Sequence, residues 1–138
     1  GGLRILGSDV NTDVLESAIQ GCYTEKLLSP IPDSFRRRYF SSESEKPNSN
    51  NQIKTEIQRL IQFRQFNLMS AEYPIATKFQ LIFCRNVLYY LQPERREFLI
   101  RKLVDHLEEG GWLVLGITES GYSIDKMEKH SISIYQKT

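Results

Sequence analysis

Two apolar runs, Phe79–Phe83 (FQLIF, with Gln80 its one polar residue) and Trp112–Gly116 (WLVLG), bracket a helical stripe at Phe98, Leu99, Leu103 and Leu107. Strands that run apolar without alternating belong to sheets covered on both faces, and such sheets are mostly parallel. Two parallel neighbours need a crossover long enough for a helix. Pro93 suits the first position of that helix, and Gly110-Gly111 supplies a stop. The expected class is therefore α/β, with a mainly parallel sheet.

The rest of the chain extends this pattern. Leu3–Asp9 reads as a short strand with an acidic tip. Asn11 or Thr12 can cap the helix that follows, Asp13 favours its dipole, and Val14, Leu15, Ala18 and Ile19 keep helical spacing up to Gly21. Residues 24–40 are punctuated by Pro30 and Pro32, with one or two helical turns expected over Ser34–Phe40. The polar stretch 41–51 (SSESEKPNSNN) is expected to be a flexible loop. Gln52–Ile57 and Leu60–Phe66 read as two strands, with one amphipathic helix as the alternative. His130–Tyr135 alternates cleanly and predicts a last strand at a sheet edge.

Composition narrows the function classes. The 138 residues fit one domain and can bury a core without disulfide staples. With 18 basic and 17 acidic residues, the net charge of +1 offers nucleic acid and anionic membranes little. No apolar run is long enough to span a bilayer, and no charged-then-apolar leader opens the sequence, so a cytoplasmic protein without membrane insertion is expected. Cys22 and Cys84 are expected as free thiols, and with His106 and His130 they lack metal-ligand spacing, so no metal is expected.

Polar residues cluster just after the strands, where open α/β sheets place ligands. Asp9 can accept both hydroxyls of a ribose, or cap the next helix. Asn67-Leu68 can border an adenine, or form a turn. Arg85 and Asn86 end the Phe79–Phe83 run, and Asn86 can also cap a short helix over Val87–Leu91. Tyr90 follows, either as a site group or as core. Glu119 is a site acid or a loop residue, and Arg36-Arg37-Arg38 a docking patch or a solvated face. There is no nucleophile–histidine triad and no phosphate-binding GxxxxGK loop. Together these residues suggest a nucleoside-like ligand.

In this order the chain resembles the C-terminal domain of the CheR-type chemotaxis receptor methyltransferases. The matching stretches are Ser8–Ala18, Gly21-Cys22-Tyr23, Arg38-Tyr39-Phe40, Phe66-Asn67-Leu68, Phe79–Tyr90 and Gly110–Gly116 with Glu119-Ser120. The block Cys84-Arg85-Asn86-Val87-Leu88-Tyr89-Tyr90 is close to a family signature. The resemblance implies a Rossmann-like, S-adenosylmethionine-dependent O-methyltransferase acting on glutamate side chains in the cytoplasmic domains of chemoreceptors. It implies that Asp9 holds the ribose, Asn67 and Leu68 border the adenine, Arg85 and Asn86 line the cofactor and substrate end, and Tyr90 lies near the reacting carboxylate. Arg85 and Tyr90 would serve catalysis by positioning.

Family members carry a first strand and a cofactor loop ahead of the stretch that begins here, so the expected fold is partial, with its central strand missing. Such a chain is expected to bind cofactor poorly, to turn over little, and to self-associate through exposed sheet edges. Ile117 stands where the family commonly has His, and the segment before Phe66 lacks the glycine-bearing pattern of a receptor-peptide-binding subdomain. Other readings are a degenerate, non-catalytic CheR-like interaction module and a methyltransferase for small molecules or RNA.

Overall fold

A computed structural model describes residues 2–42, 51–117 and 121–138. These residues form two compact units that divide between Asn67 and Leu68.

In the first unit, β1 (Ile5–Asp9) pairs in parallel with β5 (Ile61–Gln65), in register from Ile5 opposite Ile61 to Asp9 opposite Gln65. The helix α1 (Thr12–Gln20) connects from β1 and begins as its sequence dictates. Asn11 is the cap, its side-chain oxygen accepting from the Asp13 and Val14 amides at 2.9 and 3.3 Å. Gly21 ends α1 at φ +66, where a Cβ would lie 2.6 Å from Ile53 Cγ2. Position 21 is thus restricted both by backbone hand and by space.

A three-stranded antiparallel sheet completes this unit in the order β2 (Cys22–Tyr23), β4 (Asn51–Ile53), β3 (Phe40–Ser42). Short helices α2 (Glu25–Leu28) and α3 (Asp33–Tyr39) connect β2 to β3. The side chains of Arg36 and Asn51 both bond the Glu25 carboxylate, tying α3 and β4 to α2. The strand expected over Gln52–Ile57 stops at Ile53, and Thr55–Gln58 forms a helical turn, α4. The reason is spacing: Ile53, Ile57 and Ile61 lie four apart, which satisfies the strand period and the helix period equally. Of the loop expected over 41–51, Ser41 and Ser42 lie in β3 and Asn51 in β4, and residues 43–50 fall outside the described residues.

The second unit holds a four-stranded mixed sheet in the order β6 (Phe79–Cys84), β7 (Leu107–Leu115), β9 (Ile134–Lys137), β8 (Met127–Lys129). β6 and β7 are parallel and joined by α5 (Pro93–Asp105), as the apolar runs predict, while β9 runs antiparallel to both its neighbours. The core gathers Leu99, Ile100, Leu103 and Val104 of α5 on Leu107, Leu113 and Leu115 of β7, with Cys84, Leu88 and Tyr135.

Four expectations change here. The β6 strand is covered on one face only: Cys84 is buried, but Leu81 and Phe83 are 49% and 66% exposed. β6 sits at the edge of its sheet, so an apolar run alone did not imply two covered faces. The last strand lies inside the sheet, and the edge belongs to the polar β8, Met127-Glu128-Lys129, which has no apolar pattern. Among the described residues only the β1–β5 and β6–β7 pairs are parallel; β2, β4 and β3 pair antiparallel, and β9 runs antiparallel to β7 and β8. Finally, α5 stops at Asp105 and not at Gly110-Gly111.

That last change has a packing cause. Phe79 lies opposite Leu107, whereas Leu81 already lies opposite Trp112, so residues 108–111 fold out of register within β7. Gly110 sits at φ +78, and a Cβ on Gly111 would stand 2.9 Å from the Glu108 carbonyl oxygen and 3.2 Å from that of Phe79. The glycine pair lets the strand absorb three extra residues; it does not end the helix. The helix end is held instead by Lys137, whose buried ammonium donates to the carbonyls of Val104 and Leu107 at 3.1 and 3.0 Å and meets Glu109 at 3.3 Å.

Two stability outcomes follow. Gly111→Ala should destabilise the fold by about 1–3 kcal/mol through overpacking against backbone oxygens, read as a lower urea midpoint at unchanged slope. Lys137→Met keeps the buried stem but leaves two carbonyls unpaired, and should cost about 1–3 kcal/mol in the same assay.

Candidate functional site

In the first unit, the parallel pairing of β1 and β5 brings Asp9 and Asn67 to one end of one sheet. Asp9 is the last residue of β1 and stands opposite Gln65; Asn67 follows two residues later and is exposed. Gln65 donates to the Val10 carbonyl at 3.0 Å, which ties the two strand tips together. Asp9 does not cap α1. Its Oδ1 accepts from the Asn11 amide at 2.9 Å, which sets the tip for Asn11 to do the capping. A carboxylate has four acceptor sites, so this contact leaves Asp9 with acceptor capacity at the strand end.

In the second unit, Leu68 is half-buried against the core, and Arg85 and Asn86, both exposed, follow the carboxyl end of β6. Asn86 adopts φ +64, a left-handed conformation that asparagine tolerates better than most residues. It does not cap a helix: Val87 precedes the 3₁₀ turn Leu88–Tyr90, with no side-chain cap. Tyr90 is 79% exposed and meets Tyr89 edge-on at 5.3 Å, so it is not core. Cys84 stands opposite Leu115, so Gly116 and Ile117 leave the sheet at the same end as Arg85. Glu119 and Ser120 lie outside the described residues.

The arginine run is divided in its roles. Arg36 pairs with Glu25, whereas Arg37 and Arg38 are exposed and Arg38 lies over the Tyr39 ring at 5.5 Å. The Asn51 amide and the Arg36 guanidinium hold the Glu25 carboxyl below the usual carboxylate range. A cleft of about 560 Å³ opens beside α5, between Arg96, Arg101, Tyr122 and Lys126, and none of the expected site residues lines it. Among the described residues, no group of three or more His, Cys, Asp or Glu could hold a metal ion, and no helix is long and apolar enough to cross a membrane. Among the described residues neither Cys22 nor Cys84 is in a disulfide; Cys22 is exposed and Cys84 buried.

One contact had no signal in the reading of the sequence. Tyr73, in the connection between Leu68 and β6, donates its hydroxyl to the Leu68 carbonyl at 2.6 Å. Its hint was an aromatic next to Pro74 a few residues after Asn67-Leu68, a pattern that turns share.

The Asp9 carboxylate at the tip of β1 can accept from hydroxyl donors, and the Asn67 amide follows the partner strand at the same sheet end. The sequence comparisons decide the family. A model described as CheR methyltransferase, SAM binding domain, matches residues 1–135. The chain belongs to the CheR methyltransferase family. Its domain is the S-adenosylmethionine-binding one, and the fold class is the α/β, Rossmann-like methyltransferase fold.

Curated relatives agree. A chemotaxis protein methyltransferase of Borreliella burgdorferi is 28% identical over 135 residues, covering 98% of this chain and 47% of the relative. Chemotaxis protein methyltransferase 2 of Pseudomonas aeruginosa is 31% identical over 86% of this chain and 42% of its own. A probable chemotaxis protein methyltransferase of Rhizobium etli is 31% identical over 98% of this chain and 51% of its own. The CheR domain described here thus spans about half the length of these relatives.

The tyrosines give a test by titration. Burial pushes the Tyr73 hydroxyl up to about 12, and burial also raises Tyr135. A native pKa above the unfolded value means the native state holds its proton longer, so stability falls as pH rises from about 10 through 12. Absorbance of tyrosinate near 295 nm should show late-titrating residues in the native protein that merge with the rest in denaturant.

Proposed function

We propose that this CheR domain serves an O-methyltransferase that esterifies glutamate side chains in the cytoplasmic domains of chemoreceptors. The observation that carries the reading is the parallel β1–β5 pair, which sets Asp9 and Asn67 at one sheet end in a chain of the CheR family. Asp9 accepts the ribose hydroxyls. Asn67 and Leu68 border the adenine, and Arg85 and Asn86 line the cofactor and substrate end.

S-adenosylmethionine, when bound, supplies a methyl group activated by a sulfonium charge. The accepting carboxylate is already ionised at neutral pH, so the protein needs no strong base. Its task is alignment, which alone can lower a barrier by several kcal/mol. Arg85 orients the incoming carboxylate, and a weak hold serves better than a tight one, because a tight ion pair would quench the nucleophile. Tyr90, exposed five residues further on in the 3₁₀ turn Leu88–Tyr90, offers a hydroxyl to the same group. The carboxylate held there would form a methyl ester, and the cofactor would be left as a neutral thioether that retains the electron pair of the broken sulfur–carbon bond.

The residues expected to cradle the methionine part of the cofactor are not among these 138. We therefore expect the chain alone to bind S-adenosylhomocysteine weakly and the full-length protein to bind it well. Calorimetry on both checks this, and micromolar binding by the isolated chain would overturn it. With labelled cofactor and chemoreceptor-containing membranes, the full-length protein should deposit label that mild base releases as methanol; base-stable label would contradict a carboxyl ester. Asp9→Asn should raise the KM for cofactor about 10- to 100-fold, the loss of a charge-assisted hydrogen bond.

A further inference from the structure

We propose that Tyr73 is a positioning residue for the adenine end of the cofactor site, acting through the backbone of Leu68. The inference rests on the reading of Leu68 as the residue that borders the adenine.

The hydroxyl of Tyr73 donates to the Leu68 carbonyl at 2.6 Å and closes the loop between them. The ring of Tyr73 is itself held from α5. The His106 ring lies 4.8 Å from it, centroid to centroid, and the Lys102 ammonium stands 4.9 Å over its face. Lys102 also donates to the Ala71 carbonyl within the same loop. His106 is fixed in turn, its Nδ1 2.8 Å from the Lys102 carbonyl. One helix end therefore grips the loop at two places, a carbonyl and an aromatic ring.

That helix does not yield easily. Leu99, Leu103 and Val104 of the same helix are all in the core. The position of the Leu68 carbonyl is thus referred, through one short hydrogen bond, to a helix packed into the core of its unit. A loop that borders a flat base must present its side chain at a set height, and residues held by packing and hydrogen bonding keep such geometry better than free loops do. Because its hydroxyl stays protonated up to about pH 12, Tyr73 remains a donor throughout the working range.

The test is Tyr73→Phe in the full-length protein, which removes the donor and keeps the ring between His106 and Lys102. The expected result is about 3- to 10-fold weaker binding of S-adenosylhomocysteine by calorimetry and a matching rise in KM for cofactor. At saturating cofactor, kcat and the KM for receptor should stay within about twofold of wild type. The preference for S-adenosylhomocysteine over its inosine analogue should also narrow, because the adenine edge is the part misplaced. A merely structural hydroxyl would lower the melting temperature and leave that preference unchanged; this outcome, or an unchanged affinity, overturns the proposal. As a second variant, Lys102→Met loosens the grip without touching the hydroxyl, and an effect on the base preference in the same direction supports it. If wild type itself does not bind S-adenosylhomocysteine, the functional reading falls and this inference with it. If wild type binds and both variants match it, only this inference falls.

Discussion

The second unit depends on one pairing, the parallel contact of β6 with β7 across the helix that joins them. The Phe79 amide donates to the His106 carbonyl at 2.8 Å, directly where α5 turns into β7. From that point the strands would be out of step by several residues, and Gly110-Gly111 takes up the difference. Only then do Leu81 to Cys84 meet Trp112 to Leu115 in register. The register decides which residue stands last on each strand, so it also decides that Arg85 and Gly116 emerge at the same end. A shift by one residue would turn Cys84 outward and Phe83 inward, and the site would lose its frame along with the core.

The first unit solves the same problem with less. Two parallel strands carry Asp9 and Asn67 to one end, and Gln65 ties the tips by a single amide–carbonyl bond. Asp9 and Asn11 divide a task that either could have done. Asp9 holds the turn and Asn11 the helix, so the carboxylate keeps acceptor capacity in place of spending all of it on a cap. On the proposed function, local structure and ligand chemistry would compete for the same side chain, and the neighbouring asparagine relieves the competition.

How much of this could be read from the sequence follows from the range of each signal. Asn11, Asp13 and Gly21 act within a few residues, and α1 begins and ends where they predict. The β6–α5–β7 crossover was legible because a continuous apolar run, an amphipathic stripe and a second run occur in order. Exposure of Phe83 was not legible, because coverage of a strand face depends on distant residues. Nor was Lys137, since a lysine near the end of an alternating strand looks like surface until α5 is seen to end against it. The ambiguity of Ile53 and Ile57 is different: the spacing fits two periods, and pairing of β4 with strands on both sides settled it. Asn86 shows the same limit at the site, where its cap-like sequence gave way to a left-handed turn.

The place of Lys137 in the chain bears on synthesis. Its ammonium seals the end of a helix made some thirty residues earlier, and Tyr135 beside it is among the most buried side chains of the unit. During translation α5 emerges from the ribosome before either residue does. Its last carbonyls are then bonded only to water, and its apolar stripe lacks one wall. Domains fold as units once their long-range contacts are available. The nascent unit accordingly waits for β9, and a pause after α5 has emerged but before β9 has would prolong its most vulnerable stage.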